Sequence, residues 1–132
     1  GIEAIWARHD VLARASWAAC DRWAEGGALA MNVADPAHRS TAVTALRLPS
    51  PQGTALRRWV EGNLGLTLGV GLGMATPGDP AADAFFRLGH MGHVNGQMVL
   101  GLLGGIEAGL TALDVPKGAG AVEAAAAVIA AG

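Results

Sequence analysis

Arg87 is the residue whose setting most plainly asks for chemistry. In FFRLGHMGHVNGQMVL, residues 85–100, it interrupts an apolar run formed by Phe85, Phe86 and Leu88. Two glycines and two histidines follow at once. A guanidinium at the edge of a core must find an anion, because an unpaired buried charge is very costly. Two readings stand open on the residues alone. An internal acid such as Glu107 or Asp83 would make Arg87 part of a structural ion pair. At a cleft, the planar fork would instead take a small carboxylate through two parallel hydrogen bonds. Such charge-assisted bonds are worth roughly 1.5–3 kcal/mol each, enough to anchor a small acid.

The other reactive residues point less far. His90 and His93 are three apart, a spacing that on a helix could bring two imidazoles to one metal ion. Gly89 and Gly92 argue for a turn there, and no carboxylate close in sequence completes a ligand set, so no metal site is expected. His90 is expected to hydrogen-bond backbone groups at that turn. The run GVGLG, residues 69–73, lacks the helix that a dinucleotide-binding loop opens into, since MATPGDP follows it; a mobile loop between strands is expected. His9 falls on the apolar stripe of the first predicted helix, and His38 in a polar loop. Cys20 is the one cysteine; it can form no internal disulfide, lacks a nearby base and reads as a small buried hydrophobe. The four tryptophans read as core or subunit contacts.

Composition limits the partners. The 132 residues are 52% hydrophobic and 15% charged, with eight arginines and one lysine against eleven acids. A net charge of −2 without basic runs excludes a nucleic-acid surface as the leading expectation. Residues 97–113 are apolar but short of a membrane span and carry Glu107. GIEAIWARHD has charges inside any apolar stretch, unlike a signal peptide. A soluble, cytoplasmic protein is expected.

The elements that must position these residues follow from periodicity. Residues 2–24 have a helical period, with Ile2, Ile5, Trp6, His9, Leu12, Ala13, Ser16, Cys20 and Trp23 on one side. Gly26-Gly27 ends that helix. Strands are expected at 28–32, 41–48, 66–70 and 84–88, and a short helix at 54–61 with Ala55, Leu56, Trp59 and Val60 inward. Asn95 is placed to cap a long helix to about residue 113, its stripe formed by Val99, Leu102, Leu103, Ile106, Leu110 and Leu113. A final Ala-rich helix occupies 119–131. This order predicts one α+β domain over residues 1–132: a small, mainly antiparallel sheet of about four strands with helices packed on one side.

Residues 85–113, FFRLGHMGHVNGQMVLGLLGGIEAGLTAL, resemble the C-terminal signature of class V aminotransferases, the alanine–glyoxylate and serine–pyruvate group of fold type I. That family's pattern reads F-R-I-G-H-M-G-x-V-N, then L-x-x-I-E-x-G-L-x-x-L. Phe86, Arg87, Gly89, His90, Met91, Gly92, Val94 and Asn95 match it, as do Ile106, Glu107, Gly109 and Leu110. GIEAIWARHDVLARA and RSTAVTALRLP resemble the family's entry into its small domain and that domain's second strand, so the likeness covers nearly the whole chain. The resemblance implies that Arg87 holds the α-carboxylate of an amino-acid or 2-keto-acid substrate, with Gly89, His90 and Gly92 shaping the supporting turn. It also implies pyridoxal 5'-phosphate as cofactor and a homodimer.

The same resemblance marks what the chain does not supply. Transamination needs a lysine for the cofactor, an acid for its pyridine nitrogen and a phosphate cup. Lys117 is the sole lysine, near the C-terminal end of the chain, and does not match the family's Schiff-base lysine. The chain therefore reads as a small C-terminal domain of a longer aminotransferase, with no catalytic, cofactor-binding or metal residues of its own and no activity alone. Where relatives have a compact G-x-L-x-G-K before the arginine strand, GMATPGDPAADA stands here, which leaves the substrate open. Two alternatives keep their place: a class V relative with lyase or pyridoxamine chemistry, and a stand-alone binding or dimerisation module.

Overall fold

A computed structural model describes residues 1–70, 75–76, 78–90 and 94–132. Helix α1 (Ile2–Ala24) opens the chain and is followed by strand β1 (Ala30–Met31) and strand β2 (Val43–Arg47). Helix α2 (Gln52–Leu64), strand β3 (Phe85–Gly89), and helices α3 (Gly96–Ala112) and α4 (Ala121–Ala131) complete it. The strands form an antiparallel sheet in the order β1-β2-β3. The architecture is α+β, as the sequence predicts.

The sheet alternates in burial as a one-sided sheet should. Thr44 and Leu46 of β2 lie beside Leu88 and Phe86 of β3, and all four are buried. Ala45 and Arg87 form the intervening pair on the opposite, more open face. The buried face meets one apolar cluster drawn from every helix, including Leu12 and Trp23 of α1, Leu56 of α2, Leu103 and Ile106 of α3, and Ala125 of α4.

Helix boundaries follow local chemistry. Asn95 caps α3 as expected, its side chain accepting the Met98 N–H at 2.8 Å. Of the pair that ends α1, Gly27 takes the left-handed conformation at φ 89°. Gly26 serves a different purpose: a Cβ there would fall on the Lys117 backbone. Gly118 continues this crossing, donating its N–H to the Trp23 carbonyl at 3.1 Å. The link from α3 to α4 thus passes directly over the end of α1. Helix α1 then lies along α4.

Two expectations need correction. The segment 66–70 is not a fourth strand: among the described residues it makes a single bridge, Gly69 to Arg87. The Leu66 N–H is held by the Val60 carbonyl at the end of α2. The Leu64 and Leu66 side chains reach toward Gly105 on α3, so the segment is drawn away from β3 and meets it only at Gly69. The stripe predicted for α1 also fails at its start. Ile2, Ile5 and Trp6 are exposed, Trp6 by 61%, whereas burial begins at His9. The Gly- and Pro-rich stretch before β3 ends in a 3-10 turn at Pro80–Ala84, with Asp79 accepting the Ala81 N–H. The mobility expected for 69–73 falls mostly on residues outside the described ones.

Candidate functional site: the Arg87 cleft

Arg87 is held by its backbone before its side chain does anything. Its N–H donates to the Gly69 carbonyl and its carbonyl accepts the Gly69 N–H, each at 2.8 Å. Gly69 lets the arginine stem lie across it. A Cβ at Gly69 would stand 3.2 Å from the Arg87 Cβ and 3.4 Å from Nε. Nε is consequently buried, and it has no hydrogen-bond acceptor. A guanidinium with a desolvated, unpartnered N–H favours any anion that can reach the group.

The two internal acids that could have neutralised Arg87 are engaged elsewhere. Glu107 accepts the Trp23 indole N–H at 3.2 Å. Asp83 accepts the Thr54 hydroxyl at 2.7 Å, and that oxygen also accepts from Arg57 Nη2 at 2.8 Å. Among the described residues, no ion pair includes Arg87. The structural ion-pair reading therefore loses both of its named partners.

Arg87 lines a cavity of about 250 Å³. The space opens where residues 66–69 diverge from Leu88 and Gly89, and the first turns of α3 close its other side. Leu66, Leu68, Val94, Met98 and Leu102 contribute most of its apolar wall. Gly89 carries the chain out of β3 beside this space, and a Cβ there would meet nothing within 4 Å. Its role is thus not one of close packing. Gly92, expected to shape the same turn, lies outside the described residues, as does His93.

His90 is fully buried and fully occupied. Its Nδ1 donates to the Thr41 carbonyl at 3.0 Å, which fixes the neutral tautomer with Nε2 as acceptor. The Thr44 hydroxyl donates to Nε2 at 2.8 Å and accepts the Trp17 indole N–H at 3.1 Å. A chain of three hydrogen bonds thus runs from α1 through the middle strand to the end of β3. Burial pushes the His90 pKa down; the Thr41 bond opposes this, and the nearby His9 ring adds to it. His90 is a clamp behind the arginine strand and offers no free nitrogen to a ligand. Thr44 was not singled out from the sequence, although the alternation along β2 is a signal that could have placed it inward; Trp17 and Gly69 required the fold.

The remaining candidates do not join the cleft. His9 is buried with both ring nitrogens unpartnered. Cys20 is completely buried, and desolvation raises its thiol pKa strongly, with Asp21 adding to the rise and Arg39 opposing it. It is no nucleophile at neutral pH. His38 lies 3.3 Å from Asp35 on the surface. Among the described residues, no group of three or more His, Cys, Asp or Glu side chains could hold a metal ion. Among the described residues, likewise, no helix is long and apolar enough to cross a membrane.

A pyridoxal group does not fit the donors present here. Lys117, the sole lysine, belongs to the crossing over the end of α1, packed against Gly26. It is not among the residues that line the Arg87 cavity.

No family model matches the chain. It is 33% identical over 127 residues to a serine–glyoxylate aminotransferase of Arabidopsis thaliana, covering 96% of this chain and 29% of that protein. Its fold matches ureidoglycine–glyoxylate aminotransferase from Bacillus subtilis with a TM-score of 0.78 and 26% identity, over 97% of this chain and 31% of the other. Pyridoxamine–pyruvate aminotransferase from Mesorhizobium loti matches with a TM-score of 0.81 and 28% identity, over 99% and 32%. The chain thus spans about a third of the length of these relatives. By sequence and by fold together, it is a relative of the class V pyridoxal-phosphate aminotransferases and corresponds to a small-domain-sized part of them.

Proposed function

We propose that this chain is the carboxylate-holding small domain of a pyridoxal-phosphate aminotransferase, with Arg87 as the fork for the substrate's carboxylate. The observation that carries the reading is the state of Arg87. It stands on the open face of the sheet at a cavity, anchored through Gly69, with Glu107 and Asp83 committed to other donors. The three relatives are named for glyoxylate or pyruvate, short 2-keto acids that share a carboxylate. The reaction is accordingly transfer of an amino group between a small amino acid and such a 2-keto acid. The lysine, the pyridine-nitrogen partner and the phosphate cup come from a second, larger domain of the same polypeptide. The working enzyme is a cytoplasmic homodimer, and Gly89, His90 and Gly92 support the arginine.

The test uses the complete enzyme. Arg87→Ala should leave the bound cofactor's absorbance band in place and lower kcat/KM for alanine and glyoxylate by at least about 150-fold, the loss of two charge-assisted bonds at roughly 1.5–3 kcal/mol each. Unchanged kinetics would refute the assignment. A natural product of this length, with no pyridoxal-binding lysine in the same polypeptide, would instead favour a non-enzymatic binding module.

A further inference from the structure

We propose that the apolar cavity beside Arg87 receives the hydrocarbon side chain of the amino donor, so that the amino acid bound through this arginine carries an apolar side chain while the short 2-keto acid uses the arginine alone. The inference rests on the reading of Arg87 as a carboxylate fork and adds what lies next to that fork.

Three observations carry it. The cavity measures about 250 Å³, far more than a carboxylate alone occupies. Its wall is apolar on both sides: Leu66 and Leu68 come from the diverging segment, and Val94, Met98 and Leu102 from α3 and the residues before it. Met98 is 52% exposed, a large flexible thioether well suited to close on a hydrocarbon group. Among the described residues, Arg87 supplies the one charged side chain in the wall. One cation at the edge of an otherwise greasy space is the complement of an amphipathic acid, with a carboxylate at one end and an alkyl group at the other. Glyoxylate would leave the apolar wall empty. A small amino acid with a branched apolar side chain would bury it there.

The test is a titration of the 132-residue chain by nitrogen-15 NMR with acetate, butyrate, isovalerate and isovaleramide, following the Arg87 Nε–H signal and the Met98 amide. Affinity should rise roughly tenfold to fiftyfold from acetate to isovalerate, the factor for burying two or three carbons at about 0.8 kcal/mol each. Met98→Trp, which fills the mouth, should remove the advantage of isovalerate over acetate. Equal binding of acetate and isovalerate would overturn the side-chain proposal and leave the arginine reading intact. Equal binding of isovalerate and isovaleramide would show that the guanidinium is not the anchor, overturning the arginine reading and this proposal with it. A well-dispersed spectrum that no carboxylate perturbs would have the same meaning.

Discussion

Replacing Thr44 by valine would remove one oxygen and almost no volume, which makes it the sharpest test of how the arginine strand is held. That oxygen receives the Trp17 indole N–H at 3.1 Å and donates to His90 Nε2 at 2.8 Å. Thr44 and His90 are both buried, so water cannot readily replace the lost partner. The stranded His90 acceptor costs about 1–3 kcal/mol, and the half-buried Trp17 N–H adds a smaller amount of up to about 1 kcal/mol. A total loss of about 1–4 kcal/mol follows. For a domain of this size each kcal/mol moves the melting temperature by about 4 °C, so Thr44→Val should melt roughly 4–16 °C lower. The assay is urea unfolding of the isolated chain at pH 7.5 by circular dichroism and tryptophan fluorescence, with Thr44→Ser as the control. Serine keeps the hydroxyl and should recover most of the loss. A valine variant within 0.5 kcal/mol of the parent, or a serine variant as damaged as valine, would refute the clamp.

Two further outcomes follow from the same structure. His90 is held neutral with a folded pKa below its ordinary value near 6.5, so its unfolded form binds the proton more readily. Its contribution to stability is complete above about pH 6.5 and is lost as pH falls through the folded pKa, with a slope of up to about 1.4 kcal/mol per pH unit; unfolding series from pH 8 to pH 5 should show the decline, and His90→Gln should flatten it. Gly118→Ala should destabilise the chain by at least about 2 kcal/mol, because the new methyl would fall on the Arg22 carbonyl oxygen and push the crossing segment off α1. Thermal melts of this variant beside Gly62→Ala, whose methyl would meet open space, should separate the steric effect from the intrinsic one.

Much of this fold was legible because its strongest signals are local. Asn95 capping an apolar run, the β-branched stretch that became β2, and the long period of α1 each state their structure within a few residues. The fourth strand was misread because Leu66 and Leu68 look like strand residues from any window. Their destination is decided by Leu66 bonding back to the end of α2 and by Gly105 lying open on α3, the second a contact between parts of the chain far apart. The exposure of Ile2, Ile5 and Trp6 escaped for a related reason: periodicity identifies an apolar face and is silent about what meets it. At the cleft, the residue types around Arg87 posed the question of its partner. Only the packing showed Glu107 and Asp83 occupied by Trp23 and Thr54.

The crossing of residues 117–118 over the end of α1 has a bearing on how the chain comes off the ribosome. Its first and last helices are packed together, so the core face of α1 cannot be fully covered until nearly every residue between them has been synthesised. Contacts of such long sequence separation pay their loop-closure entropy late and slow folding. During that interval the buried face of α1 lacks α4, and the nascent domain presents it to solvent. The order of the elements thus leaves this face bare through most of synthesis, and a circular permutation that joins α4 ahead of α1 by a short linker would make the same packing local.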